Sequence, residues 1–224
     1  MSLNLVNPFM KFASGGGGGL TELDDTEWVC NFEQWHNSNA NNLCLEFLSD
    51  GATPSYSGSY YGLGMFLQDN GSKYYNITTA NNNGTRTESA YPSGATGLNP
   101  YKNVVLYTRA TRLSATSYKT EVFTDSNRTS SLGSATMSIN SSIQGLNQIC
   151  AWANGTGGNY YVTNVEIWNG TTSTSGTPDY TNDFTDSTGW TNGGTGTVNV
   201  DSAHSDAIGA TSTKGGDYSI RTFA

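Results

Sequence analysis

Charged residues are scarce in this sequence and make up only 12% of it. The few charges lean to the acidic side, with 18 Asp and Glu against 10 Lys and Arg and a formal net charge of −8. A chain that binds nucleic acid needs clustered cations to neutralise phosphates, so this balance argues against a nucleic-acid partner. Histidine is equally rare, and neither His36 nor His204 stands at a spacing typical of metal ligands.

Long apolar runs are also absent. No stretch approaches the roughly 20 apolar residues of a membrane span, so we expect no membrane partner. Residues 1–12 lack the basic and apolar regions of a secretory signal. The three cysteines, Cys30, Cys44 and Cys150, are an odd number. This argues against a closed disulfide framework and favours free thiols.

The sequence is instead rich in residues that favour strands and turns. The sequence holds 27 Gly, 13 Tyr and 5 Trp, and it shows no sustained helical stripe with caps. Short runs instead alternate apolar and polar side chains, which is the pattern of strands with one buried face. The clearest sets predicted to share a face are Tyr118, Thr120 and Val122; Ala135, Met137 and Ile139; and Tyr161, Thr163, Val165 and Ile167. Such strands, separated by turn residues, predict an antiparallel β-sandwich.

The first half of the chain gives similar but shorter patterns. Predicted inward rows are Trp28, Cys30 and Phe32; Leu43, Leu45 and Phe47; and Leu63, Met65 and Leu67. Asp69-Asn70-Gly71 is a hairpin turn signal, so residues 62–68 should pair with residues 73–78. Residues 81–99 are rich in turn residues, and we expect a long loop there.

Three stretches carry a family resemblance. They are a strand that contains Arg112 (105–112), the run Tyr-Lys-Thr-Glu-Val-Phe-Thr-Asp (118–125) and the run Val-Thr-Asn-Val-Glu-Ile-Trp-Asn-Gly (162–170). Together they resemble the second half of a concanavalin A-like, laminin-G-like jelly roll, and the resemblance extends over residues 27–172. It implies an all-β, antiparallel jelly-roll sandwich, a fold whose members include glycoside hydrolases and calcium-binding domains.

The predicted organisation has three parts. Residues 1–20 form an apolar arm and a glycine joint, residues 21–172 the sandwich, and residues 173–224 a Ser/Thr/Gly-rich linker with a C-terminal β tail. The tail has too few large apolar residues for a core of its own. Its start resembles the opening strands of a second jelly roll. It is either a truncated repeat or a set of strands that pair with the first domain or a neighbouring subunit. We favour pairing, because exposed strand edges are a liability.

Catalytic signatures are missing. No strand places acidic residues at the spacing that a glycosidase dyad would need, and there is neither a Gly-x-Ser-x-Gly elbow nor a phosphate loop. We therefore expect no enzymatic activity and no cofactor. The turns at Asp69-Asn70-Gly71 and Asp125-Ser126-Asn127 could donate oxygens to calcium, which leaves that ion open as an alternative.

Aromatic residues in polar surroundings are the candidates for ligand binding, because their rings stack on sugars. The carbohydrate-binding candidates are Trp35, Tyr91, Trp152 and Trp190. The alternative is that these rings pack in the core or at its rim.

The N-terminal arm suggests a function in assembly. Apolar anchors precede a run of five glycines, Gly15 to Gly19, which acts as a flexible joint. The anchors are Leu5, Val6, Phe9, Met10 and Phe12. The alternative is that these residues form a disordered terminus. The opening Asn-Pro-Phe with its glycine run resembles the starts of small bacteriophage virion proteins.

We therefore expect a structural virion protein that serves as a capsid decoration, head-fibre or tail-associated component. Its expected partners are other virion proteins and copies of itself, with a trimer among the options. A lectin-type module for a host-surface glycan is the alternative, and a glucanase-like enzyme comes third.

Overall fold

The computed structural model describes residues 19–36, 43–53, 58–69, 74–91, 98, 101, 104–153, 159–182, 189–193, 197–201, 207–211 and 217–223. The predicted anchors of the arm, Leu5, Val6, Phe9, Met10 and Phe12, lie outside these residues, as does His204. The described part forms β-strands and no α-helix, and hence no helix with the length and hydropathy of a membrane span.

Fifteen strands follow one another along these residues. They are β1 (Trp28–His36), β2 (Leu43–Ser49), β3 (Tyr61–Asp69), β4 (Tyr74–Asn82), β5 (Thr85–Tyr91), β6 (Leu106–Ser114), β7 (Ser117–Phe123), β8 (Ser131–Ser138), β9 (Leu146–Ala153), β10 (Asn159–Asn169), β11 (Tyr180–Asn182), β12 (Trp190–Gly193), β13 (Thr197–Asp201), β14 (Ala207–Thr211) and β15 (Asp217–Thr222). The expected all-β class is confirmed.

Two antiparallel sheets form a sandwich. Sheet A has eight strands in the order β13-β14-β10-β1-β6-β7-β8, and β11 also pairs with β10. Sheet B has seven strands in the order β12-β15-β9-β2-β3-β4-β5. Strands β1 and β2 thus lie near the middle of their sheets, which places their residues at the centre of each layer.

The core lies between the sheets and follows the predicted alternation closely. From β1, Trp28, Cys30 and Phe32 are fully buried. The Trp28 ring meets Phe47 of sheet B at a centroid distance of 4.9 Å and Tyr118 of sheet A at 5.8 Å. Burying one such large side chain contributes about 1.5–3 kcal/mol, so this aromatic contact ties the two sheets together.

The turn-rich segment after residue 80 is not one long loop, and that prediction was wrong. Residues Thr85–Tyr91 form β5, which pairs with β4 from Asn76↔Tyr91 to Asn82↔Thr85. Asn83 and Gly84 connect the strands with positive φ of 48° and 92°. An Asn-Gly pair in this conformation is the favoured two-residue hairpin turn, so the sequence did carry the signal.

Strand β10 interrupts its own alternation. Val162, Val165 and Ile167 all belong to the core, although the strict period predicted Val162 on the opposite face. A bulge against β1 between Asn31 and Glu33 shifts the register, and Asn164 takes a positive φ of 50° there. One extra residue moves every later side chain to the other face. Thr163 therefore leaves the predicted inward row.

The C-terminal segment pairs with the same chain. β14 pairs with β10 and β15 pairs with β9, so the segment adds strands to both sheets. Phe223 belongs to the existing core and Tyr180 and Trp190 pack against it, with the rings of Tyr180 and Phe223 5.1 Å apart. At the other end, the described core starts at Leu20, directly after the glycine run.

Candidate functional site

A polar cleft of about 550 Å³ opens at the edge of β10. β14 is in register with β10 from Asn159 to Val162, and β11 from Val165 to Ile167. The two strands thus leave a break of two residues between them. Residues of both sheets line the cleft at this break: Glu33, Arg128, Asn164, Val165, Glu166, Thr181, Asn182 and Arg221.

The first wall of the cleft is the outer face of sheet A. Glu33 on β1 and Glu166 on β10 both point away from the core, and each is half-buried. Their strands are neighbours, but the bulge at Asn164 offsets the register, so that Glu33 faces Thr163 and Glu166 faces Asn31. The positive φ of Asn164 is a conformation that Asn tolerates better than most residues. The bulge thus sets the outer-face positions of the two carboxylates.

Arg128 supplies a cation to the same wall. It lies in the turn between β7 and β8 at a positive φ of 57°, and its guanidinium packs 5.8 Å from the ring centre of Tyr107. It donates to the carbonyl oxygens of Ser126 at 3.1 Å and Thr108 at 3.4 Å. Burial lowers the pKa of Arg128, and Arg109 lowers it further, while Glu166 and Glu33 oppose the shift. Since an arginine stays protonated in proteins, Arg128 is a fixed positive charge beside two carboxylates.

The second wall comes from the C-terminal strands. Thr181 and Asn182 belong to β11, and the Asn182 amide donates to the Tyr180 hydroxyl at 2.9 Å. Arg221 lies on β15 directly opposite Trp190 of β12. A side chain at Gly189, which has a φ of 81°, would place its Cβ 3.6 Å from Arg221 Nε. Because β15 belongs to sheet B, Arg221 is the contribution of sheet B to a cleft that is otherwise lined by residues of sheet A.

Three charged side chains in the cleft are available to a ligand. Within the residues that the structure describes, Glu33, Glu166 and Arg221 form no hydrogen bond and no ion pair. Arg128 acts on the two carboxylates through longer-range attraction. Carboxylates accept hydrogen bonds and guanidinium groups donate them, so a polyhydroxylated or amide-bearing molecule could satisfy both.

A second cluster with a carboxylate lies on the outer face of sheet B and is already engaged. The Glu46 side chain is fully buried, and its Oε1 lies 2.9 Å from Nη2 of Arg86. The Tyr60 hydroxyl donates to Glu46 Oε2 at 2.9 Å and accepts from Arg86 at the same distance. Apolar neighbours close over the ion pair: Leu48, Tyr60, Phe66, Ile77 and Cys150. We call these seven residues the covered cluster, and its role is structural.

The four predicted sugar-stacking residues are scattered. Trp35 is half-buried on β1, two residues beyond Glu33 on the same face, and so lies next to the cleft. Trp190 packs partly against the core and lies opposite Arg221. Tyr91 is a core residue, 3% exposed, with its hydroxyl 2.7 Å from that of Thr120, and this burial removes it from the candidates. Trp152 belongs to β9, but its side chain lies outside the described residues.

The carboxylate of Asp125, a residue of one predicted calcium turn, is engaged by hydrogen bonds within its own turn. Around Asp125, both carboxylate oxygens accept hydrogen bonds from the following backbone, including 2.6 Å from Ser130 N and 3.1 Å from Thr129 N. The carboxylate is thus used to close its own turn. Asn70 and Gly71 lie outside the described residues. No group of three or more potential metal ligands from His, Cys, Asp and Glu occurs in the part of the chain that is described.

Sequence reasoning missed the cleft for a physical reason. Glu33 and Glu166 are 133 positions apart, and only strand pairing brings them to one face. The remaining wall depends on β11 and β15, whose pairing partners no local pattern specifies. The one usable signal was Asn164, a residue that tolerates positive φ, in the middle of a strand pattern.

Comparison with known proteins gives only distant likenesses. The sequence matches no model of a protein family and no curated protein. One similar structure is the CBM2 module of the evolved Dit of Lactobacillus casei BL23 phage J-1, with 10% identity and a TM-score of 0.38 over 92% of this chain and 67% of that one. Scytalido-glutamic peptidase with a peptide-based transition-state analogue has 11% identity and a TM-score of 0.41, over 92% of this chain and 97% of that one. Likenesses this distant carry no argument about function.

Proposed function

We propose that the protein is a structural component of a bacteriophage virion that displays its β-sandwich on the particle and attaches through the N-terminal arm. The observation that carries this proposal is where the sandwich starts. Leu20 and Leu23 are buried, and Leu23 N donates to Leu146 O at 2.8 Å. The apolar anchors of residues 1–12 precede this point, separated from it by five glycines. The arm is therefore placed to bind a partner while the sandwich stays independent.

The fold family and the partners that we propose rest on sequence motifs. The sandwich is taken to be a concanavalin A-like jelly roll, on the motifs of residues 105–170. Its partners are other virion proteins, as capsid decoration, head fibre or tail-associated component, and further copies of the chain. An arm that orders on binding gains contact without a large domain interface, which suits a protein present in many copies.

The test is deletion of residues 1–19 in a phage that depends on a plasmid copy of this gene. We expect the truncated protein to keep the melting temperature of the full chain and to be missing from purified particles. A second variant keeps the length of the arm but removes its apolar side chains. It replaces Leu5, Val6, Phe9, Met10 and Phe12 with Ser. It should be lost from particles in the same way. Unchanged incorporation of both variants, or collapse of the truncated domain, would contradict the anchor proposal.

The second candidate is a lectin-type module, and the cleft beside Trp35 favours it. We propose binding without cleavage. No single strand carries an acidic pair at a dyad spacing, and we take Glu33 and Glu166, which lie on neighbouring strands and are not directly opposite each other, as hydrogen-bond acceptors. Wild-type protein should release no reducing ends from polysaccharides. Hydrolysis that Glu33→Gln or Glu166→Gln abolishes would replace this proposal with an enzymatic one.

A further inference from the structure

We propose that the cleft at the break in the β10 edge binds an uncharged oligosaccharide, and that Glu33, Glu166 and Arg221 grip its hydroxyl groups. This inference rests on the second candidate function and deepens it. Thr181, Asn182 and Arg221 lie beyond residues 27–172, so the site owes its second wall to a part of the chain that the jelly-roll resemblance does not include.

The balance of charge selects a neutral ligand. Two carboxylates and two guanidinium groups line the cleft, which leaves it without net formal charge. An acidic ligand would meet Glu33 and Glu166 on a chain whose net charge is −8, and a cationic ligand would meet Arg128 and Arg221. A sugar hydroxyl both donates and accepts, so adjacent hydroxyls can bond to a carboxylate and a guanidinium at once.

The lining also favours a sugar over a peptide. Val165 is the one apolar residue among the eight that line the cleft, so apolar peptide side chains would find little to bury against. The break between β11 and β14 is two residues long, which is too short for a peptide to be added as a further strand. Asn164, Thr181 and Asn182 add short polar groups that suit a hydroxylated surface.

Trp35 gives the site an apolar component next to the charges. It lies two positions beyond Glu33 on the outer face of β1 and is half-buried. A sugar that bonds to Glu33 through its hydroxyls could lay its apolar C–H face on that ring.

The experiment measures binding of a defined panel to the full chain. The probes are the neutral tetrasaccharides of β-1,4-glucose, α-1,4-glucose, β-1,4-mannose and β-1,4-N-acetylglucosamine, the acidic tetragalacturonate, and a neutral tetrapeptide. Wild-type protein is titrated by calorimetry and by ligand-observed NMR, then compared with Glu33→Gln, Glu166→Gln and Arg221→Met. The matched control is Glu88→Gln, an exposed carboxylate on β5 of the other sheet.

We expect at least one neutral tetrasaccharide to bind. Each cleft variant should weaken that binding about tenfold, because a hydrogen bond to a charged group is lost, and Glu88→Gln should leave it unchanged. The affinity for a neutral ligand should also stay constant between about 0.05 and about 0.5 M salt, since there is no ligand charge to screen. Melting temperatures establish that all variants are folded. The salt series uses wild-type protein, so its result does not depend on the folding of any variant.

The other outcomes overturn the proposal in distinct ways. Glycan binding that survives all three cleft substitutions would place the sugar site elsewhere and leave the lectin function standing. A preference for tetragalacturonate that falls with salt would make the ligand class wrong, and so would binding of the tetrapeptide alone. Absence of binding to every saccharide would refute the lectin function together with the site.

Discussion

The two outer faces of the sandwich use the same residue type in opposite ways. Glu46 stands near the middle of sheet B and is fully buried in an ion pair with Arg86. Glu33 stands near the middle of sheet A and remains half-exposed at the cleft. Position in the sheet is similar, so the difference comes from what lies above. Tyr60 and Phe66 close over Glu46, whereas the cleft opens over Glu33. A glutamate on the outer face of a central strand is therefore a candidate for ligand binding only if no other side chains cover it.

The largest expected effect tests which face of β10 is inward. Val165→Asp should abolish folding, because it places an unpaired carboxylate between the sheets at a fully buried position. Total stabilities are only about 5–15 kcal/mol, so one such charge is enough. The matched variant Glu166→Asp, one residue further on the outer face, should fold normally. Circular dichroism and melting of both proteins provide the check, and a folded Val165→Asp protein would show the register after the bulge to be wrong.

The covered cluster should respond far more than the cleft to loss of a carboxylate. Glu46→Gln should lower the free energy of unfolding by about 3–5 kcal/mol, because it strands the buried Arg86 charge. Glu33→Gln and Glu166→Gln should change it by less than about 0.5 kcal/mol, as at open surface positions. Urea denaturation measures all three. The double variant Glu46→Leu with Arg86→Met should recover much of the loss. Equal effects at Glu46 and Glu166 would remove the contrast between the two faces.

A smaller effect is expected at Gly64, which faces Glu46 across β2 and β3. A Cβ there would clash with the Leu45 carbonyl oxygen and lie 2.7 Å from Glu46 Cγ. Gly64→Ala should therefore cost about 1–3 kcal/mol through overpacking. Gly51→Ala is a comparison in open space, where only the positive φ of 69° opposes the new side chain. If Gly64→Ala melted like wild type, β2 and β3 would be less closely packed beside Glu46 than described.

The smallest effect concerns an exposed turn of sheet A. Partial desolvation raises the pKa of Asp125, but hydrogen bonds from the Ser130 and Thr129 backbone outweigh it and hold the pKa below its ordinary value. A depressed folded pKa means that the carboxylate stabilises the protein above its unfolded pKa of about 3.9 and stops doing so as the pH falls through the folded value. Asp125→Ala should melt lower than wild type at pH 7. The gap should narrow as the pH falls below the unfolded value of about 3.9, and a gap that does not change with pH would contradict this account.

The sequence predicted the interior better than the surface. Alternation placed Trp28, Phe32 and Tyr118 in the core correctly, because a period of two depends only on neighbouring residues. It failed at Val162, where the bulge adds one residue and reverses the faces. It also missed β5, although the Asn83-Gly84 pair is a strong local hairpin signal.

The candidate site was predicted less well, for the same physical reason. Stacking rings were chosen by residue type, and Tyr91 proved to be buried against Thr120. The groups that line the cleft come together through pairings between residues far apart in the chain, such as β1 with β10 and β9 with β15. Local propensity carries no information on those contacts, whereas burial and register supply it directly.

The second wall of the cleft is assembled from residues that are synthesised after the strands of the first wall. Thr181 and Asn182 follow the end of β10 at Asn169 closely, but Arg221, which completes the second wall of the cleft, is made 52 residues after it. Until β11 and β15 have been made, the cleft has only the wall that the outer face of sheet A supplies. A chain cut after residue 180 would lack Thr181, Asn182 and Arg221, and with them the second wall of the cleft.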